Sequence, residues 1–159
     1  MPNLEQFLQD EQITYILHEH PAVYTCEEAE KYCSQIPGLA TKNLFLKNQK
    51  KNRYFLIILP ADKQADLKKI AAIVNEKKLS FANPDELQDK LGLQPGAVSP
   101  FGLINDDKQA VEVYIDKDVY NAEIVSFHPN RNTASLELTS AMWQKYLNTI
   151  DHDIKVINL

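Results

Sequence analysis

Apolar and polar residues follow two different periods along this chain. In several short segments the apolar residues alternate with polar ones or form a continuous run, which is typical of β-strands. The predicted strands are residues 13–18, 42–47, 54–59, 111–115, 123–127, 133–138 and 154–157. The polar stretch 48–52, between the second and third of these strands, favours a hairpin loop.

Other segments repeat apolar residues at the three- and four-residue spacing of an amphipathic helix. The predicted helices are residues 3–11, 25–34, 64–76, 84–92 and 140–148. Capping residues mark four of the starts, namely Asn3, Thr25 in a capping box with Glu28, Asn83 before Pro84, and Ser140. On the last helix, Met142, Tyr146 and Leu147 are predicted to be buried.

Strands that are interrupted irregularly by helices predict an α+β fold with a mixed β-sheet and surrounding helices, not a doubly wound α/β fold. A length of 159 residues fits one domain, so we expect a single domain over residues 1–159. Segment 94–105 is rich in glycine and proline, and it is predicted to be a long loop. It is too apolar to be a mere spacer.

The formal net charge of −5 argues against broad, sequence-independent binding of nucleic acid. The cations are unevenly placed, however, and a group of them lies between residues 42 and 53. This group comprises Lys42, Lys47, Lys50, Lys51 and Arg53. Such a local basic patch predicts contact with one end of an RNA and not with a long duplex.

The sequence shows no apolar run of the roughly 18–20 residues that a membrane span requires. Its first residues have neither the basic segment nor the apolar core of a secretory signal, so we expect a cytoplasmic protein. Cys26 and Cys33 lie two turns apart on a predicted helix, roughly 10 Å at 1.5 Å per residue. Because this distance exceeds the limit of about 7 Å for a disulfide, both are predicted to be free thiols.

The motifs of several common reactions are absent from the sequence. It contains no glycine-rich dinucleotide motif, no P-loop, no nucleophile elbow, and no CxxC or HExxH zinc pattern. His18, Glu19 and His20 with the two cysteines match no common zinc spacing, and Cys26 is a weak candidate nucleophile. We therefore expect neither a metal nor a cofactor.

Four motifs occur in a characteristic order along the chain. They are HPAVYT at residues 20–25, TKNLFL at 41–46, the GxxxP loop GAVSP at 96–100, and SFHPNRNT at 126–133. Together they resemble the YbaK/prolyl-tRNA-synthetase-associated editing domain family over the whole chain. Within that family the TKNLFLK, SPFGLIND and FHPNRNTAS stretches are most similar to the free-standing Ala-tRNA(Pro) deacylases.

The resemblance implies a trans-editing hydrolase that acts on mischarged tRNA without a metal, a cofactor or a covalent nucleophile. It would cleave the ester between alanine and the terminal adenosine of tRNA(Pro), with the vicinal ribose hydroxyl assisting a water molecule. The implied partners are the acceptor end of tRNA(Pro) and prolyl-tRNA synthetase. Neither DNA nor a membrane is implied.

The resemblance also assigns roles to particular residues. Backbone amides of the GxxxP loop would hold the ester carbonyl, and this loop comprises Gly96, Ala97, Val98, Ser99 and Pro100. His128 would belong to the same catalytic centre, and Lys42 would contact the 3′ end of the tRNA. The other substrate-binding candidates are Asn43, Thr25, Asn132 and Thr133, of which Asn132 and Thr133 could equally form a simple turn.

The proposed chemistry suits these residue types. An aminoacyl ester is already activated, so positioning a water and stabilising the oxyanion with backbone N–H donors would suffice. A glycine allows a loop to approach the substrate closely. Three alternatives stay open, namely a deacylase for another small amino acid, a non-catalytic module that binds tRNA or a synthetase, and a metal-dependent hydrolase.

Overall fold

A computed structural model describes residues 3–24 and 26–159 of the chain. Thr25, with its predicted capping box, and the side chain of Cys26 lie outside the described part. The strands are β1 (Ile16–Glu19), β2 (Leu39–Asn48), β3 (Tyr54–Pro60), β4 (Leu79–Phe81), β5 (Val111–Asp116), β6 (Ile124–Phe127), β7 (Ala134–Thr139) and β8 (Ile154–Ile157). The helices are α1 (Leu4–Asp10), α2 (Cys26–Cys33), α3 (Leu67–Ile73), α4 (Pro84–Leu91), α5 (Lys117–Tyr120) and α6 (Ser140–Thr149), together with the 3₁₀-helix Pro100–Asn105.

All the described strands belong to one mixed sheet. Its order is β1-β7-β6-β2-β3-β5-β8, and β4 pairs with β2 outside this path. The pairs β2–β6, β3–β5 and β5–β8 are parallel, whereas β1–β7, β2–β3, β2–β4 and β6–β7 are antiparallel. The predicted α+β fold with a mixed sheet is confirmed.

Strand β3 is the centre of the molecule because its side chains are buried on both faces of the sheet. Leu56 and Ile58 pack into a first core with residues of α4, α6 and the 3₁₀-helix. The alternate residues Phe55, Ile57 and Leu59 pack into a second core beneath α3. A continuous apolar run is what a strand covered on both sides requires, and this explains why the run from residue 54 to 59 was recognisable.

Local signals placed several element boundaries correctly. Asn3 caps α1 by accepting from the Gln6 N–H, and Asn83 forms a complete capping box with Glu86 at the start of α4. Gly92 ends α4 in the left-handed conformation, as predicted from its position. Between α2 and β2, Gly38 has φ +96°, and a Cβ there would lie 2.6 Å from the carbonyl oxygen of Ile124, so this glycine allows β2 to approach β6.

Other predictions were wrong where tertiary contacts decided the structure. The first strand begins at Ile16 and not at residue 13, because the N–H of Ile13 bonds back to the Leu8 carbonyl and closes α1. Segment 94–105 is not a loop throughout, since Ser99 caps the 3₁₀-helix that starts at Pro100. Strand β4 and helix α5 were not predicted, because they are only three and four residues long.

The capping residue of the last helix lies one residue earlier than expected, and the buried face of this helix was only partly predicted. Thr139, not Ser140, caps α6 by accepting from the Met142 N–H. Trp143 is fully buried against Phe127, whereas Met142 is only partly buried. Among the described residues, Cys33 is a free thiol, and no helix is long and apolar enough to cross a bilayer.

Candidate functional site

The sheet has a break along one edge of β2. The other edge of this strand pairs with β3 without interruption, from Thr41 opposite Pro60 to Lys47 opposite Tyr54. On the broken edge, β6 pairs only with residues 39–40, and β4 pairs only with residues 46–48. Residues 42–45 have no strand neighbour there within the described part of the chain. Apart from the Phe45 carbonyl, which accepts from Ala82, their backbone groups on that edge are available to a ligand.

Asn43 directs its backbone groups into this break. The carbonyl of Ala40 accepts from Ala61 on the β3 side of the strand, whereas the carbonyl of Phe45 accepts from Ala82 on the β4 side. Because backbone groups alternate in direction along a strand, Asn43 shares the orientation of Phe45. Its side-chain Oδ1 is buried and has no hydrogen-bond partner in the described structure. Buried acceptors are nearly always paired, so this atom is a candidate for contact with a bound ligand.

A cleft of about 320 Å³ opens at the break. Asn43 and Phe45 line it from β2, Phe81 lines it from β4, and Gly96 and Val98 line it from the GxxxP loop. The loop therefore lies across the missing part of the sheet. This juxtaposition brings the GxxxP loop and Asn43, whose Oδ1 has no partner, to the same cavity.

Gly96 adopts a backbone conformation that favours glycine. Its φ is +86°, and a Cβ built on it would lie 3.3 Å from the ring of Tyr24 and 3.5 Å from Nδ2 of Asn132. A side chain at this position would be strained by its φ and would press on Tyr24. The glycine thus allows the loop to lie against two neighbouring segments at the edge of the cleft.

Several amide groups of the loop are free to bind a ligand. The Ala97 N–H donates to the Gln94 carbonyl, which closes a turn. The N–H groups of Gly96 and Val98, two residues that line the cleft, donate to no acceptor among the described residues. Donors that are fixed in a loop and unpaired are the type of group that stabilises a developing oxyanion.

The base of the loop is held by the first core. Ser99 is fully buried, and its Oγ accepts from the Phe101 N–H. The fully buried Tyr146 donates its O–H to the Pro100 carbonyl at 2.6 Å, and burial raises the pKa of this phenol well above its usual value. Ala97 is also buried. The side chains of Ala97, Ser99 and Pro100 therefore support the loop from below and do not line the cleft.

His128 lies at the end of β6 and is a neutral side chain at pH 7. Its Nδ1 is 2.9 Å from the Ala134 carbonyl, which can only accept, so Nδ1 carries the proton in this bond. Burial lowers the pKa of His128 and outweighs the hydrogen bond to Ala134, which raises it. The nearby His20 lowers the pKa further. Nε2 consequently has a free lone pair. The His20 ring lies 6.0 Å away between centroids and bonds to Ser135 through Nε2.

Lys42 and Asn43 point to opposite faces of β2. Phe45, which shares a face with Asn43, belongs to the first core, whereas Leu44 and Leu46, which share a face with Lys42, pack on the second core. Ala40 and Ser126 form the last pair between β2 and β6. Lys42 lies two residues after Ala40, and His128 lies two residues after Ser126. These two residues lie at the same end of parallel neighbouring strands. Within the described residues Lys42 has no carboxylate partner.

The two remaining candidates lie beside the Gly96 loop. Asn132 donates from its side-chain Nδ2 to the Val23 carbonyl, and its backbone carbonyl accepts the Val23 N–H. These two bonds hold the segment that leads to Tyr24. Thr133 is exposed, and its hydroxyl accepts from Arg131. Asn132 therefore supports the site from behind, whereas the side chain of Thr133 is not among the groups that line the cleft.

The predicted basic patch is only partly a free cationic surface. Lys47 forms a 2.7 Å ion pair with Glu86, and Arg53 forms a paired contact with Glu112 and lies near Glu76. Burial would raise the pKa of Glu86, but hydrogen bonds from Asn83, Lys47 and Tyr54 outweigh it and lower the pKa to about 2. The hydrogen bond to Glu86 in turn raises the pKa of Tyr54 to about 12. Lys47 and Arg53 thus stabilise the fold.

Two exposed aromatic residues at the cleft were not predicted. Tyr24 is 72% exposed and lies against Gly96, and Phe81 is 58% exposed and lines the cleft. No sequence pattern distinguishes them from buried aromatics, because their exposure depends on which strands lie beside them. In the described residues no group of three or more His, Cys, Asp or Glu side chains could hold a metal ion.

Comparison with known proteins identifies the family to which the chain is related. Residues 20–146 match the family model described as the aminoacyl-tRNA editing domain. The chain is 39% identical to a protein named prolyl-tRNA editing protein ProX from Acetoanaerobium sticklandii, over 96% of this chain and 93% of that one. It is 32% identical to the prolyl-tRNA synthetase associated domain-containing protein 1 of Danio rerio, over 94% and 82% of the two chains.

A solved structure shows that the fold is shared as well. A protein proposed to be a trans-editing enzyme for prolyl-tRNA synthetase superposes with a TM-score of 0.71 over 100% of this chain and 98% of that one, at 20% identity. The family match covers most of the chain, including β2, the GxxxP loop and the segment around His128. The chain belongs to the aminoacyl-tRNA editing domain family.

Proposed function

We propose that this chain is a trans-editing deacylase that hydrolyses the ester of mischarged Ala-tRNA(Pro), without a metal and with assistance from the substrate. The single observation that carries the proposal is the break beside Asn43, which shares one cleft with Gly96 and Val98 of the GxxxP loop. Membership of the editing family makes the chain an aminoacyl-tRNA hydrolase. The name of its ProX relative supports a role beside prolyl-tRNA synthetase.

In the proposed reaction a water oxygen attacks the carbonyl carbon of the aminoacyl ester. The carbonyl oxygen gains negative charge, which the N–H groups of Gly96 and Val98 stabilise. The bond between this carbon and the ribose oxygen then breaks and releases alanine and the free 3′ end of the tRNA. Removal of one such donor typically slows a reaction by about 10² to 10³, so a short loop can supply much of the catalysis.

The side chains at the break position the substrate. The buried Oδ1 of Asn43 accepts a hydrogen bond from the ammonium group or from a ribose hydroxyl, which are the donors that the substrate offers. Lys42 binds a phosphate near the 3′ end as a point charge. His128 lies at the end of β6 and is not among the residues that line the cleft, so it is not assigned as the general base. The vicinal ribose hydroxyl takes part in activating water.

Selection of alanine requires contributions from the tRNA. A pocket that differs by one methylene discriminates by only about 1–3 kcal/mol, so sterics alone cannot separate small amino acids completely. We infer that features of tRNA(Pro), presented alone or together with prolyl-tRNA synthetase, supply the remaining specificity. We propose that the protein acts on these substrates in the cytoplasm.

The editing unit comprises residues 1–159 in this proposal. The sheet draws on strands from β1 near the N-terminus to β8 near the C-terminus, and α1 packs on the first core. The described elements outside the family match, which covers residues 20–146, are therefore part of the same folded body.

The decisive experiment measures the release of amino acid from purified mischarged tRNAs in the presence of a chelator. We expect rapid loss of alanine from Ala-tRNA(Pro), slow loss of proline from Pro-tRNA(Pro), and no effect of the chelator. Ser-tRNA(Pro) tests the rival amino acid. No release of alanine above the spontaneous rate would contradict the proposal, and binding of tRNA without any release would identify a non-catalytic module.

A further inference from the structure

One edge of the sheet carries an exposed aromatic residue at the cleft. Phe81 ends β4, is 58% exposed, and lines the cleft that contains Asn43 and Gly96. Among the described strands, β4 pairs only with β2, so its outer edge faces solvent. An apolar ring that is open to solvent at the mouth of a cleft is available for stacking on a flat ligand.

The same edge leads from Phe81 to four exposed lysines. Lys77 and Lys78 directly precede β4, and Lys50 and Lys51 occupy the turn between β2 and β3. The antiparallel register sets Leu79 opposite Asn48. In addition, Asn48 Nδ2 donates to Glu76 at 2.8 Å. These contacts place the two lysine pairs beside each other at one end of the sheet.

These lysines differ from the other cations of the region in having no ion-pair partner. None of the four contacts a carboxylate in the described part of the chain, whereas Lys47 and Arg53 engage Glu76, Glu86 and Glu112. The four lysines therefore keep their positive charge without a carboxylate contact in the described residues. A cluster of free cations on a chain of net charge −5 favours one kind of partner, a polyanion.

We propose that Phe81, Lys78, Lys77, Lys50 and Lys51, here called the β4 edge, bind the acceptor end of the tRNA. This inference rests on the proposed function and adds the path that the RNA takes away from the cleft. Phe81 stacks on an unpaired nucleobase next to the terminal adenosine. The lysines then neutralise phosphates farther along, since Lys78 lies about 10 Å from Phe81 at about 3.3 Å per strand residue.

The test measures binding of uncharged tRNA as a function of salt concentration. In the variant Lys50→Gln/Lys51→Gln/Lys77→Gln/Lys78→Gln we expect Kd to rise at least tenfold. The slope of log Kd against log salt should fall by about three, since each phosphate contact contributes about 0.7 to 0.9. The matched control is Lys117→Gln/Lys155→Gln, two exposed lysines on the β5–β8 side of the sheet, which should change Kd less than twofold.

The aromatic contact needs its own pair of variants. We expect Phe81→Ala to weaken tRNA binding about tenfold without changing the salt slope, because stacking is not ionic. Phe81→Trp should restore binding. With mischarged tRNA, both the lysine variant and Phe81→Ala should raise KM and leave kcat near the parent value, and thermal unfolding confirms that each variant is folded.

Three results would overturn the inference. The first is a salt slope in the lysine variant that equals the slope of the parent. The second is an equal loss of tRNA binding in the Lys117/Lys155 control. The third is a lysine variant that binds tRNA like the parent but no longer binds purified prolyl-tRNA synthetase. The last result would make the β4 edge a protein interface. If the parent binds tRNA through this edge but releases no amino acid, the proposed function fails while the docking surface stands.

Discussion

The two edges of β2 differ in how completely their backbone groups are used. Along one edge β3 pairs with every residue from Thr41 to Lys47, and the paired residues of β3 from Phe55 to Leu59 are fully buried. Along the other edge the sheet is broken, and the acceptor of Asn43 is left buried and unpaired. One strand thus separates the part of the molecule that provides stability from the part that is open to a ligand.

Asn43 and Ile58 form a cross-strand pair in which one residue lies at the cleft and the other in the first core. These residues lie directly opposite each other, and both face the first core side of the sheet. Ile58 is fully buried among apolar side chains, whereas Asn43 has an unsatisfied oxygen at the cleft. Substitutions at the two positions should therefore change different properties, the first stability and the second activity.

The largest effect is expected from Ile58→Ala. Removal of the buried side chain leaves a cavity in the first core, so the free energy of unfolding should fall by about 2–5 kcal/mol. Urea denaturation followed by circular dichroism measures this loss. Ile58→Val should cost only about 0.5–1.5 kcal/mol, and equal costs for both variants would contradict the assignment of Ile58 to a tightly packed core.

Gly96→Ala should reduce the deacylation rate by about 10²-fold, because a Cβ at φ +86° strains the loop and displaces its amide donors. The measurement is kcat on mischarged tRNA. Gly92→Ala is the matched control, since Gly92 also has a positive φ of 67° but ends α4 away from the cleft. A comparable loss in the control would show that strain alone, and not the position of the loop, lowers the rate.

Asn43→Ala should lower the rate by at least tenfold while leaving the free energy of unfolding unchanged or slightly higher. The reason is that Oδ1 has no partner to lose in the folded protein, and an unpaired buried acceptor is unfavourable. Asn48→Ala provides the contrast, because Asn48 on the same strand is buried and its side chain bonds to Asn52, Arg53 and Glu76. That variant should lose about 1–3 kcal/mol of stability.

The last expected effect is a dependence of stability on pH through Glu86. The pKa of Glu86 is about 2 in the folded protein and near 4.3 in an unfolded chain. The folded value is the lower one, so the ionised carboxylate stabilises the fold above pH 4.3, and this stabilisation disappears as the pH falls toward 2. Stability of Glu86→Gln should change less over this window, whereas Asp85→Asn, at an exposed position nearby, should behave like the parent.

Local physical signals predicted much of the fold. Helix caps at Asn3 and Asn83, the left-handed Gly92, and the apolar run of β3 depend on residues that are close in sequence, so their patterns are visible without tertiary structure. The same holds for the β2–β3 hairpin. By contrast, β4 is too short to show a period, and it exists because β2 offers it an edge.

The candidate site divides in the same way. The motifs around Lys42, Gly96 and His128 predicted the family, which comparison confirmed over residues 20–146. The sequence did not show that Lys42 and Asn43 lie on opposite faces of β2 near a break, or that Lys47 and Arg53 are neutralised by carboxylates from distant segments. The roles of the individual site residues stay predictions that the proposed variants test.

The sequence by itself determined the order of the elements, their caps and the glycine at the turn of the GxxxP loop, because these follow from local backbone preferences and side-chain periodicity. Only the tertiary structure decided which edge of β2 stays open, which lysines remain free, and which polar atom is buried without a partner. Those features depend on pairing between strands and charges far apart in the chain, and no local pattern encodes such pairing.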